Sequence, residues 1–145
     1  MDLIKASSDG NLDLVKLLLE RGANVNSQNN IFYGQTALIR ASENGHTEIV
    51  KLLSTNGADV NIQDIYGQTA LILSSLRGHL EVIKLLLEKG ADPFDKNNKN
   101  KYPLDLCENE KCKKIISKSM WDIMYGNVKI KVNSCLLYTS PSPRD

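Results

Sequence analysis

Apolar residues along this chain come in short bursts at helical spacing. Leu14, Val15, Leu18 and Leu19 fall on one side of a helix, while Asp13, Lys16, Glu20 and Arg21 fall on the other. Each such burst opens after a glycine (Gly10, Gly45, Gly78) and closes at another (Gly22, Gly57, Gly90). A glycine just past the last apolar position supplies the left-handed C-cap of a helix. A shorter apolar run precedes each opening glycine: Leu3, Ile4 and Ala6 in the first case, then the runs after Thr36 and Thr69. Asp2, Thr36 and Thr69 stand where a side-chain oxygen caps free backbone amides. The pattern predicts helices over 3–8, 12–21, 37–44, 47–56, 70–77, 80–89, 104–108 and 111–124.

The bursts repeat as text. Gly34-Gln35-Thr36-Ala37-Leu38, then Gly45-His46-Thr47-Glu48-Ile49-Val50-Lys51-Leu52-Leu53, recurs 33 residues on as Gly67-Gln68-Thr69-Ala70-Leu71 and Gly78-His79-Leu80-Glu81-Val82-Ile83-Lys84-Leu85-Leu86. A fixed period of this size marks a repeat architecture. Between the first two units the spacing is 35, from Gly10 to Gly45, which puts two extra residues in the loop Ser27–Tyr33 and carries Phe32 and Tyr33 on it.

The text resembles the ankyrin repeat, a turn with Thr-Pro-Leu-His followed by two antiparallel helices, over residues 1–107. Ala37 and Ala70 stand in place of the Pro, and Ile39 and Ile72 in place of the His. The resemblance implies an all-α solenoid of stacked helix-turn-helix units, in one right-handed array with protruding β-turn or hairpin loops. Its units are a partial first repeat over 1–29, repeats over 30–62 and 63–96, and a degenerate capping repeat over 97–124. In the last unit Tyr102 replaces Thr, Asn100 replaces Gly, and Lys111-Cys112 replace Gly-His; Ile115, Ile116, Met120, Ile123 and Met124 keep an apolar stripe, and Trp121 is placed to close the core. Residues 125–145 form a non-repeat tail. Its end, Cys135–Asp145, resembles translated sequencing-adaptor DNA, so its deletion is expected to leave the melting temperature unchanged.

At 145 residues and a formal net charge of +1, the chain calls for no polyanionic partner. Residues 95–131 carry 9 basic and 5 acidic side chains, but no arginine is among them and acids are interspersed. They read as a solvated face rather than a nucleic-acid site. Three cysteines (Cys107, Cys112, Cys135) make no disulfide framework, and no ligand cluster holds a metal. No apolar run of about 18 residues spans a membrane, and a cytoplasmic monomer is expected. His46 and His79, near Glu48 and Glu81, suggest a general base, yet they recur with the repeat as scaffold residues do. No catalytic or cofactor motif is present, so neither enzymatic activity nor a cofactor is expected.

In the ankyrin family the concave face of fingertips and first helices binds other proteins. Carried over to this sequence, the contact positions are Phe32, Tyr33, Gln35, Arg40, Glu43 and Asn44, then Ile65, Tyr66, Gln68, Leu73, Leu76 and Arg77, with Asn98, Lys99 and Lys101 in the last unit. Tyr33 and Tyr66 are expected roughly 10 Å apart, the spacing of packed helices. The expected function is a non-catalytic interaction module for a protein partner. The alternative is a targeting or substrate-recognition fragment, such as a ubiquitin-ligase adaptor or host-interaction factor, whose effector region lies elsewhere.

Overall fold

A computed structural model describes residues 2–126; the expectation for Cys135–Asp145 lies outside them. Among the described residues eight α-helices follow in order: α1 Leu3–Asp9, α2 Leu12–Glu20, α3 Ala37–Glu43, α4 Thr47–Thr55, α5 Ala70–Arg77, α6 Leu80–Glu88, α7 Pro103–Leu106 and α8 Glu110–Tyr125. Consecutive helices pair as α1/α2, α3/α4, α5/α6 and α7/α8. First helices then stack on one another in a row (α1, α3, α5, α7), and second helices form a parallel row (α2, α4, α6, α8). The architecture is the all-helical repeat stack that the periodicity predicts.

The caps form as the sequence requires. Asp2 accepts from Lys5 N–H at 2.7 Å, and Thr36 and Thr69 accept from Ile39 and Ile72 N–H at 3.1 Å. Gly22 is left-handed and closes α2. Val15, Leu38, Ile39, Val50, Leu53, Leu71, Ile72, Val82, Ile83 and Leu86 lie fully inside. Small residues Ala41, Ser42, Ser74 and Ser75 are buried where α3 and α5 pack on their neighbours.

The last pair departs from the expected register. α7 is one turn long, so the N-cap of α8 is Asn109, which accepts from Cys112 N–H at 2.7 Å. Asn109, not Cys112, lies against Gly78 and takes the place that His79 holds one repeat earlier. The expected boundaries 104–108 and 111–124 become 103–106 and 110–125. The short α7 also places Cys107 and Cys112 on either side of a tight turn, with Cα atoms 5.8 Å apart, and the two are disulfide-bonded. No disulfide framework is expected from three cysteines, and this single bridge departs from that: the Cα separation suits a bond, and it arises from the shortened helix.

α8 has 16 residues against the 9 of α6, about 24 Å of helix against about 13.5 Å. Its last turns outrun their neighbour. Ile115 and Met120 pack on the core and Ile116 is buried, whereas Ile123 and Met124, at the far end of the apolar stripe, are exposed. Trp121, half-buried, pairs with Tyr125 at a ring separation of 4.8 Å.

Candidate functional site

The loops between helix pairs project as three fingers, each shaped by one Asn or Asp. In the second finger Asp64 Oδ1 accepts from the backbone N–H groups of Tyr66 and Gln68, both at 2.9 Å. In the third, Asn97 Oδ1 does the same for Lys99 and Lys101. Asn100, at φ 62, fills the left-handed position that glycine holds in the other fingers. Asn tolerates that region because its short polar side chain can bond locally. In the first finger Asn29 accepts from Ile31 N–H, and the two-residue insertion winds into a 3-10 turn over Asn30–Phe32 with Tyr33 left-handed. Among the described residues the hairpin character of these loops reduces to one bridge, Asn29 to Gln35.

Each finger bonds the next. Ile65 N–H donates to the Tyr33 carbonyl and Asn98 N–H to the Tyr66 carbonyl, both at 3.0 Å. Below them Asn26 spans Gly57 O and Asp59 N–H, and Asn61 repeats the rung with Gly90 O and Asp92 N–H. Gln28 and Gln63 donate to carbonyls of their own finger and of the following one. The amide side chains therefore hold the loops in one file.

This interlock brings Tyr33 and Tyr66 to a ring-centroid distance of 5.7 Å, with planes 47° apart. The helix spacing that suggested roughly 10 Å does not govern here, because fingers joined by N–H···O bonds approach more closely than packed helices do. Both rings remain about half exposed (55% and 53%) and Ile65 is 59% exposed. Together they make an apolar edge. Ile31, on the 3-10 turn, is 80% exposed; the two-residue insertion that carries Phe32 and Tyr33 is the sequence signal for it.

Phe32 is half-buried under the Arg40 guanidinium, which lies 5.2 Å from the ring centroid. Arg40 also donates to Ser8 Oγ and to Gln35 Oε1, and Glu43 pairs with Arg40 at 3.5 Å and Arg77 at 2.9 Å. Gln35 donates to Asp64 Oδ2, and Gln68 accepts from Asn97. Gln35 and Leu73 are buried, which places them beneath the surface rather than on it. Arg77, Asn44 and Leu76 are exposed, as are Asn98, Lys99 and Lys101.

The histidines do not make a catalytic pair. Nε2–H of His46 donates to the Ser8 carbonyl at 3.0 Å and that of His79 to the Glu43 carbonyl at 2.9 Å, tying each second helix to the preceding repeat. Gly45 is left-handed (φ 75), and a Cβ there would meet the His79 ring at 2.8 Å. Glu48 and Glu81 pair one turn on with Lys51 and Lys84 instead. Among the described residues no group of three or more His, Cys, Asp or Glu side chains is arranged to hold a metal.

A family model described as ankyrin repeats (3 copies) matches residues 3–100. The chain belongs to the ankyrin-repeat family. Ankyrin repeats are general protein-interaction modules, and the match covers all three fingers as far as Asn100. No curated protein matches the chain. No helix among the described residues is long and apolar enough to cross a membrane.

Proposed function

We propose that this chain is a non-catalytic interaction module whose protein partner lies across the fingertips and the exposed side of the first helices. The observation that carries the reading is the apolar edge of Tyr33, Ile65 and Tyr66, held open to solvent by fingers whose backbones are already bonded. Exposed apolar groups gathered on one edge mark protein contacts, and aromatic side chains concentrate binding energy. A surface ordered before binding loses little further entropy when a partner arrives. Leu76 and Arg77 extend the same face along α5. The network of Ser8, Gln35, Arg40 and Glu43 serves as its rigid support.

Tyr66→Ala should weaken capture of the partner by about 1–2 kcal/mol with an unchanged far-ultraviolet circular dichroism spectrum. Lys16→Ala and Glu20→Ala, exposed on α2 in the row of second helices, should leave binding unaltered. Quantitative pull-down from a lysate, with each variant at matched concentration, makes the comparison. Loss of capture in the α2 variants with retention in Tyr66→Ala would move the interface to the opposite side.

A further inference from the structure

Building on that reading, we infer that the partner segment is acidic and extended: an apolar anchor seated at Tyr33 and Tyr66, with carboxylates a few residues away over the third finger. The fingers differ in charge. On the helical face the positive charge is answered internally, since Glu43 pairs with both Arg40 and Arg77. The third finger carries Lys96, Lys99 and Lys101, all exposed, and none of them lies in an ion pair among the described residues. Of the acids around that finger, Asp95 adjoins Lys96 in the chain without forming an ion pair among the described residues, and Asp92 accepts from Phe94 N–H. Asp64 is buried and bonded to Gln35, and Asp105 accepts from Tyr102 N–H.

The three lysines adjoin the aromatic edge directly. Asn98 bonds the Tyr66 carbonyl through its backbone and the Ile65 carbonyl through its side chain, at 3.0 and 3.1 Å. Asn97 fixes the turn that presents Lys99 and Lys101. The file of fingertips thus passes from apolar to basic in one step. An extended peptide advances about 3.4 Å per residue, so acids about two to four positions from the anchor reach the lysines. Unpaired surface charges of one sign steer and select an oppositely charged partner. A polynucleotide suits the edge less well. The tyrosine rings face each other rather than standing apart for a base, Ile31 and Ile65 offer no stacking face, and the basic stretch is a single finger.

A displayed library of short random peptides, selected on the full chain, tests the inference. Enrichment of sequences with an apolar or aromatic residue and acids about two to four positions away is expected. A synthetic peptide of that consensus should bind with an affinity that falls as salt rises. Lys99→Glu combined with Lys101→Glu should weaken it about tenfold or more, as for two well-placed charge pairs, and Tyr66→Ala by a comparable factor. Lys51→Glu, exposed on α4, should leave it unchanged. Neutral or basic consensus sequences that still require Tyr66 overturn the acidic assignment and leave the fingertip interface standing. Peptides indifferent to both Tyr66 and the lysines overturn both. Absence of enrichment, or tighter lysine-dependent binding of oligothymidylate than of any selected peptide, overturns the acidic-peptide inference.

Discussion

Asp95, at the root of the third finger, illustrates how one residue is out of balance with its surroundings. Burial, and then the nearby charge of Asp92, holds its carboxyl above the usual carboxylate value of 3.8. The fold therefore favours the neutral acid. Its contribution to stability is complete below pH 3.8 and is lost as pH rises through the higher folded value. Asp95→Asn should accordingly raise the urea midpoint at neutral pH, with the advantage shrinking as pH falls below the ordinary carboxylate range. Equal midpoints at neutral pH would mean that the charged form is well accommodated. The histidines show the opposite case: His46 and His79 meet a carbonyl of the preceding repeat at hydrogen-bond distance, and this explains their recurrence without any appeal to catalysis.

At the scale of elements, the last helix pair is where the repeat is most altered. α7 keeps a single turn, started by Pro103 and by the Asp105 carboxylate that accepts from Tyr102 N–H. A helix of one turn has little stability of its own, and the Cys107–Cys112 bond ties it to α8. Denatured without reductant, a Cys135→Ser variant should show no titratable thiol. Cys107→Ser with Cys112→Ser should cost about 2 kcal/mol, the lower end for a disulfide because the closed loop is short. Two free thiols in that denatured variant would show that the bond does not form.

At the scale of the whole stack, each inner pair among the described residues is covered by helix pairs on two sides and each outer pair on one. Stability in such a stack is close to a sum over units and their interfaces. Amide exchange should therefore be slowest in α3–α6, with α1–α2 and α7–α8 opening first. Uniform protection from α1 to α8 would instead mean one cooperative unit. The same linear order places the apolar and basic fingers side by side. An edge of this kind depends on the stack remaining closed at its C-terminal end, which is the work of α8 and its buried Cys112 and Ile116.

Much of this was legible in the chain itself. The period of 33, the glycine stops and the Thr caps determine the helix pairs, since they rest on local chemistry within one repeat. The aromatic positions before Gly34 and Gly67 likewise follow from the period. What only tertiary structure decided is how units meet. Gln35 looks like a surface polar residue, yet Asp64 of the next unit draws it inside. Leu73 shares a short helix with Leu76, and stacking alone buries one and exposes the other. The Tyr33–Tyr66 distance depends on bonds between fingers, and the Cys107–Cys112 bond on a helix that stops one turn in. Spacing along one chain specifies what each repeat is; contacts between residues about 30 positions apart specify which of its side chains remain for a partner.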